Sequence, residues 1–300
     1  LGVIFTSGGR PRVSDIQTMA GLFIKALLCL MECTYAQQTQ SVSVLCKDTL
    51  AHVKRSTNNI LNSGVSFFQT LRDVCKAGDS EQIPPQATAI VWSACDEALE
   101  TFPARNSDAV CAMLRVIDEL LQDAVEELNG EYTQAKEEAS QAFDEGCNPS
   151  STNASDADSD DEYDVQDDIW SAVELDTASA TLGLCKATDK AVKTVRDRFV
   201  IYCENVGFEG VMYLDAISNV SQGLSELVDD LVICMYPPQV PATLLENAAH
   251  LEDQVQRLLT LAQKEVDGVS LDVSKKGVQA CDIVSKALTY NLENIRKTNV

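Results

Sequence analysis

Residues 217–234 read ISNVSQGLSELVDDLVIC, and the spacing of their apolar side chains decides the fold class. These side chains recur at intervals of three, four, three, four and three residues: Ile217, Val220, Leu224, Leu227, Leu231 and Cys234. Such alternation puts all six on one face of an α-helix, as in a heptad seam. The stretch therefore predicts a helix over about 211–235, which ends at Tyr236-Pro237-Pro238.

The same spacing recurs along most of the chain. It predicts seven further helices, over about 14–38, 41–76, 85–103, 106–146, 169–205, 244–268 and 272–295. Glycine and proline are sparse, at 14 and 8 of 300 residues, so long uninterrupted helices are expected. Sustained seams joined by short loops are typical of antiparallel bundles. The sequence therefore predicts an all-α protein with two antiparallel helical bundles.

The negative charge is concentrated in one part of the chain. The formal net charge is −23, and residues 118–168 hold 18 acidic side chains and one basic side chain, Lys136. Within this part, residues 146–168 are mostly Gly, Asn, Pro, Ser and Asp, a composition typical of disorder. We expect an N-terminal bundle over 1–145, an acidic disordered linker over 146–168 and a C-terminal bundle over 169–300.

Composition argues against several classes of function. A chain this acidic is a poor binder of nucleic acid or anionic membranes, and a basic protein surface is the more natural partner. No apolar run approaches the roughly 20 residues that span a bilayer. The 11 cysteines include no CxxC pair, which predicts reduced thiols in the cytoplasm or nucleus.

The chain offers little for catalysis or metal binding. It has two histidines, His52 and His250, and no Walker-type loop, GxGxxG, HExxH or GxSxG. Cys29 and Cys33 have the i,i+4 spacing of a helical metal pair, but small core residues are the favoured interpretation. We therefore predict no catalytic residues, no metal and no cofactor.

Three groups of residues are candidates for partner or linker contacts. Lys186, Lys190 and Lys193 share a helical face. A solvated surface is favoured for them, and a dock for the acidic linker or a contact for an acidic partner is the alternative. Leu244, Leu251 and Leu258 fall every seven residues. Bundle packing is favoured for them, and a short intermolecular zipper is the alternative. Ser155 and Ser159 precede acidic residues by three positions and are candidate phosphorylation sites for an acidophilic kinase.

Several short stretches resemble the cyclin-D-binding protein family, named also for its interaction with a Grb2-related adaptor. They are 91–95 (VWSAC), 103–106 (PARN), 187–196 with its interleaved lysines, and 228–231 (VDDL) followed by 236–238 (YPP). An acidic, serine-rich segment separates the matches, as it does in the family. The resemblance implies two helical bundles, the first of them truncated here because Leu1 falls near the end of the family's first helix. It also implies binding to D-type cyclins with restraint of their kinase, and antagonism of helix-loop-helix transcription factors.

The leading expectation is thus a non-catalytic regulator of the cell cycle and transcription. Its partners would be a D-type cyclin, helix-loop-helix proteins and a signalling adaptor, in the cytoplasm and nucleus. The alternative is a helical scaffold or adaptor of the cytoskeletal or adhesion type, because bundles of long helices also build such proteins. An enzyme is the least supported class.

Overall fold

The computed structural model describes residues 17–32 except 19, 27 and 30, and residues 45–77, 85–145, 170–203, 208–264 and 271–298. Eight α-helices are delimited in these ranges: α1 Lys47–Ala77, α2 Pro85–Thr101, α3 Asn106–Glu145, α4 Ala172–Arg198, α5 Phe208–Ser221, α6 Leu224–Ile233, α7 Pro241–Ala262 and α8 Leu271–Thr298. A 3-10 turn, Val200–Tyr202, follows α4. Helical residues also occur between 17 and 32, and the described residues contain no β-strand. The prediction of an all-helical protein is confirmed.

The helix predicted over about 211–235 is two helices. The chain turns at Gln222 and Gly223, between α5 and α6, so the prediction of one continuous helix was wrong. Glycine is a poor helix former because it loses the most backbone entropy on ordering. The seam nevertheless continues across the turn, since Ile217, Leu224 and Leu231 are all fully buried.

The helices group by their contacts into two units. Unit 1 comprises Leu1–Val110 and Val206–Asp215, and unit 2 comprises Cys111–Asn205 and Ala216–Val300. Residues 111–145 of α3 therefore group with the later helices, whereas the predicted N-terminal bundle ran to 145. The acidic segment 146–168 lies outside the described residues. The linker and the domain boundaries beside it stay predictions.

In unit 1, α1 packs against α2. Buried side chains here include Phe67 and Leu71 of α1 and Ala94 of α2. The start of α1 is held by polar contacts, because the backbone N–H of Lys47 donates to Asp215 Oδ1 at 2.7 Å. The N–H groups of a first helical turn lack partners within the helix, so this carboxylate satisfies one of them.

In unit 2, α4 is the central helix. It packs most extensively against α8 and also against α7 and α6, and thirteen of its residues are buried. Its N-terminus carries a capping box, in which Ser171 and Glu174 each accept a hydrogen bond from the other's backbone N–H. Gly183 lets α8 approach closely, since a Cβ there would collide with the Asn291 side chain. Small residues thus set the distance between these two helices.

None of the described helices combines the length and the apolar character that a bilayer-spanning segment requires.

Candidate functional site

The predicted cationic face of α4 is partly used inside unit 2. The Nζ atom of Lys193 lies 2.8 Å from Asp189 Oδ2 and 3.3 Å from Asp118 Oδ1 of α3. Arg196 joins the same group, with its Nη1 2.6 Å from Asp118 Oδ2. We call Asp118, Asp189, Lys193 and Arg196 the α3–α4 ion cluster. It corrects the expectation that Lys193 offers its charge to a partner or to the linker.

The pKa values of the two carboxylates in the α3–α4 ion cluster are shifted in opposite directions. Burial opposes ionisation of Asp118, but hydrogen bonds with Asp189, Arg196 and Gln122 outweigh it and hold the pKa of Asp118 at about 2. Burial raises the pKa of Asp189, and the nearby Asp118 carboxylate adds to that rise. The cluster therefore acts as a structural tie between α3 and α4, because its charges are matched and largely shielded from solvent.

The two other predicted lysines remain at the surface. Lys190 is exposed, and Lys186 is exposed with its Nζ donating to Asn129 Oδ1 at 3.3 Å. The candidate phosphorylation sites Ser155 and Ser159 lie outside the described residues.

The three heptad leucines pack inside unit 2. Leu244, Leu251 and Leu258 of α7 have no exposed surface. Each is therefore unavailable to another molecule, and their assignment as candidate partner contacts is corrected. Bundle packing, the favoured interpretation, is confirmed because the same 3–4 seam that suits a zipper also suits α7 against α4, α6 and α8.

His52 and several buried cysteines contribute to packing within the described residues. The His52 ring of α1 lies within hydrogen-bonding distance of Ser56, at 3.4 Å, and of Thr101 at the end of α2, at 3.3 Å. Burial raises the pKa of Cys185 and Cys203 to about 12, so both are protonated thiols at neutral pH. The described residues contain no group of three or more His, Cys, Asp or Glu side chains placed to hold a metal ion.

Helix α2 of unit 1 has an unusual distribution of side chains. Its inward face consists of small or medium residues, among them Ala94, Val91, Cys95 and Ala98. Larger apolar side chains point outward, with Ile90 51%, Trp92 53% and Leu99 79% exposed. Trp92 and Leu99 are seven residues apart, two helical turns, and so share one flank of the helix. We call the exposed side chains Trp92 and Leu99 the α2 apolar face, since Ile90 lies on the other flank of the helix.

An apolar pocket of about 200 Å³ opens beside this face, between α1 and α2. Its lining is aromatic and aliphatic except for Thr88 and Cys95: Phe23, Gly64, Phe67, Phe68, Thr88, Val91, Trp92 and Cys95. Gly64 lets the Phe23 ring lie close against α1, since a Cβ there would collide with that ring, and the small residues of α2 leave the rest of the pocket unfilled. Concave apolar surfaces with aromatic walls are the usual receptors for a partner's anchoring side chain.

Acidic residues line the outward side of α2. Asp96, Glu97 and Glu100 are exposed, and α2 contains no lysine or arginine. Residues 91–95 carry the family resemblance, but the sequence did not predict the α2 apolar face. The available signal was the presence of Ile90, Trp92 and Leu99 off the seam of Val91, Ala94 and Ala98, which a search for seams alone overlooks.

A second acidic surface lies in unit 2, where α6 and α3 meet. The Tyr236 hydroxyl donates to Glu127 Oε1 at 3.3 Å. Partial burial raises the pKa of Asp229, and the charges of Asp230, Glu127 and Glu226 raise it further. The stretch 228–238 that resembled the cyclin-D-binding family thus lies beside acidic residues of α3, and it would repel an acidic partner.

Comparison with known proteins gives a consistent result for both halves of the chain. Residues 1–133 match the family model described as Grap2 and cyclin-D-interacting, N-terminal, and residues 154–260 match its C-terminal counterpart. The chain is 25% identical over 266 residues to the Cyclin-D1-binding protein 1 homolog of Xenopus laevis, covering 88% of this chain and 74% of that protein.

Two further relatives agree with this. The Cyclin-D1-binding protein 1 homolog of Danio rerio is 26% identical over 302 aligned positions, which cover 99% of this chain and 80% of that protein. Cyclin-D1-binding protein 1 of Homo sapiens is 28% identical over 185 residues, covering 58% of this chain and 47% of that protein.

Proposed function

The chain belongs to the Grap2 and cyclin-D-interacting family, and on that premise we propose that it is a non-catalytic regulator that binds a D-type cyclin through unit 1. The observation that carries this proposal is the α2 apolar face beside its pocket. Contiguous exposed apolar patches on soluble proteins mark interaction sites and binding grooves. Buried aromatic anchors also supply most of the energy of protein interfaces.

The partner surface would be apolar at its centre and basic around it. An apolar side chain of the partner would enter the pocket between α1 and α2, next to Trp92. Basic side chains would lie against Asp96, Glu97 and Glu100, because charge complementarity favours correct encounter and penalises acidic competitors. The name of the relatives supports a cyclin as that partner.

We propose that binding inhibits the cyclin-associated kinase and that the protein also sequesters helix-loop-helix factors, in the cytoplasm and nucleus. No block of lysines and arginines precedes a helix, so a complex with such a factor would lack one DNA-contacting arm. A reporter gene driven by a helix-loop-helix factor should fall on co-expression. An unchanged reporter would contradict this part of the proposal.

A scaffold of the cytoskeletal or adhesion type is the second candidate. It would use several surfaces at once and would need no anchoring pocket. Its support is the general architecture of packed long helices, whereas the α2 apolar face favours a regulator with a defined partner.

We further propose that the acidic linker docks on α4 when Ser155 and Ser159 are phosphorylated. Lys186 and Lys190 would receive it, since Lys193 is held in the α3–α4 ion cluster. Phosphorylation of both serines adds about −3 to −4 charges. Substituting both serines by Glu should change partner affinity at low salt, and equal affinities would contradict the switch.

The central test uses purified protein and a D-type cyclin, with the dissociation constant measured by calorimetry. Trp92→Ala should weaken binding at least about tenfold, as expected for an interface anchor, and Leu99→Ala should weaken it less. Ile233→Ala in α6 is the matched control, because Ile233 is 67% exposed, belongs to unit 2 and lies in neither proposed docking surface. Equal weakening by Ile233→Ala, or full affinity for Trp92→Ala, would overturn the proposed site.

A further inference from the structure

Helix α8 has one face committed to the core of unit 2. Its buried residues follow the 3–4 spacing: Gly277, Cys281, Val284, Leu288, Leu292 and Ile295. A Cβ at Gly277 would meet the buried ring of Phe199, so α8 also approaches the end of α4 closely. These contacts fix the rotation of α8 about its axis, and they therefore determine which side chains point outward.

The opposite face of α8 carries its own apolar pair. Ile283 is 69% exposed and Tyr290 is 65% exposed. Seven residues separate them, which is two turns, or about 10.5 Å along the helix. Single exposed apolar residues are ordinary on protein surfaces. Two large ones in register on one face repeat the pattern by which helices pack against each other.

Basic residues outnumber acidic ones around this pair, where Asp282 and Glu293 are also exposed. Lys276 and Lys297 continue the seven-residue spacing on either side, and Lys286 lies between Ile283 and Tyr290. We call Lys276, Ile283, Lys286, Tyr290 and Lys297 the α8 outer stripe. Helix α8 contains five basic and three acidic residues, in a chain whose net charge is −23.

The lysine charges of the α8 outer stripe are not neutralised by ion pairs within the described part of the molecule. Lys276, Lys286 and Lys297 form no ion pair with any described residue, in contrast to Lys193 and Arg196 on α4. The stripe therefore has the sign opposite to that of the chain as a whole. Its natural complement is a surface with apolar side chains at helical spacing and carboxylates on both sides of them.

We infer that the α8 outer stripe is a second docking surface, which binds an acidic amphipathic helix of another protein. Apolar side chains at spacings of three and four on that helix would cover Ile283 and Tyr290. Its Asp and Glu residues would pair with Lys276, Lys286 and Lys297. Because the α2 apolar face of unit 1 is bordered by acidic residues, the two surfaces select partners of opposite charge.

The test measures binding of a designed probe by fluorescence anisotropy. The probe is a labelled synthetic helix with Leu at alternating spacings of three and four and Glu at the flanking positions. One control peptide has the same composition in scrambled order, and a second has Lys in place of Glu. The protein should bind the first peptide alone, and raising NaCl should weaken that binding because exposed charges are screened.

Variants locate the site. Ile283→Ser and Lys286→Glu should each reduce probe affinity at least about tenfold. Ile233→Ser on α6 is the matched control, since Ile233 is 67% exposed and lies beside Asp229 and Asp230. It should leave affinity unchanged. Because all three side chains are at the surface, circular dichroism should report unaltered folding.

Several outcomes would overturn the inference. Equal binding of the scrambled peptide would show that only charge is recognised. An equal loss of probe affinity with Ile233→Ser would place the binding site elsewhere. Self-association abolished by Ile283→Ser would make a second copy the occupant. Anionic vesicles bound through Ile283 would make it a membrane surface. Tighter probe binding after deletion of residues 147–168 would identify the chain's own acidic segment as the occupant. None of these results depends on whether cyclin binds unit 1.

Discussion

The two units differ in where they place their large apolar side chains. In unit 2, Leu244, Leu251 and Leu258 are fully buried, and α4 is enclosed by its neighbours. In unit 1, Leu99 is 79% exposed and Trp92 is 53% exposed, beside an open apolar pocket. Apolar area buried within the chain stabilises the fold, whereas apolar area left outside is available for association. The fully buried leucines of α7 therefore stabilise unit 2, whereas the pocket of unit 1 and the α8 outer stripe of unit 2 are available for binding.

The ion pairs of the two units also differ in their exposure to solvent. In unit 1, Arg72 lies 3.3 Å from Asp73, and both side chains are more than 60% exposed. In unit 2, Asp118 and Arg196 are 9% and 16% exposed. Solvent screens the first pair and makes it worth about 0–1 kcal/mol, while shielded pairs depend strongly on both partners.

The largest expected effect comes from comparing the same substitution, Leu to Ala, in the two units. Leu251→Ala should lower the free energy of unfolding of unit 2 by about 2–5 kcal/mol, because it removes a fully buried side chain and leaves a cavity. Leu99→Ala should change stability by less than about 0.5 kcal/mol. Denaturant titration followed by circular dichroism measures both. Comparable losses of stability for the two variants would contradict the proposed difference between the units.

The second expected effect is a loss of folding stability at acidic pH. The pKa of Asp118 is about 2 in the folded protein and near 3.8 in the unfolded chain, so its stabilisation is present above pH 3.8 and is lost as the pH falls toward 2. The loss should be about 2 kcal/mol. The raised pKa of Asp189 does not offset it, since the stability gained by protonating Asp189 is already complete below pH 3.8.

Asp118→Asn should abolish this part of the acid transition and lower stability at neutral pH. The control is Asp73→Asn in unit 1, whose carboxylate is 64% exposed and should leave the transition unchanged. Urea titrations between pH 2 and 5 provide the comparison. An Asp118→Asn transition parallel to that of the wild type would mean that the α3–α4 ion cluster carries no stability.

The smallest effect compares two glycines that face aromatic rings. A Cβ at Gly277 would lie 2.6 Å from the Phe199 ring, and one at Gly64 would lie 2.6 Å from the Phe23 ring. Phe199 is only 5% exposed and cannot move aside, so Gly277→Ala should cost about 1–3 kcal/mol. Phe23 is half-buried and can swing toward solvent, so Gly64→Ala should cost less.

A third glycine calibrates this experiment. Gly130 of α3 has open space around it, and Gly130→Ala should stabilise the protein by about 0.5–1 kcal/mol through helix propensity. Thermal melts of the three variants measure all the changes. A greater loss for Gly64→Ala than for Gly277→Ala would show that unit 1 is packed as tightly as unit 2.

The sequence by itself determined the elements. Apolar residues at 3–4 spacing, with Pro and Gly near the ends, predicted the helices, because helix formation and its termination depend on residues within one or two turns. The turn at Gln222 and Gly223 was missed, since the apolar seam continues across it. Short motifs in the right order were also sufficient to indicate the family.

Only the tertiary structure decided which surfaces remain available. A lysine or a leucine at a given helical spacing suits either a core or a partner, and the choice depends on residues far along the chain. Arg196 contacts Asp118, which is 78 positions away in the sequence, and Leu251 is buried in a helix that packs against α4, α6 and α8. Ile90, Trp92 and Leu99 point outward because small residues of α2 already fill the contact with α1. Periodicity records which side chains share a face, but burial of that face is a property of the neighbours that pack on it.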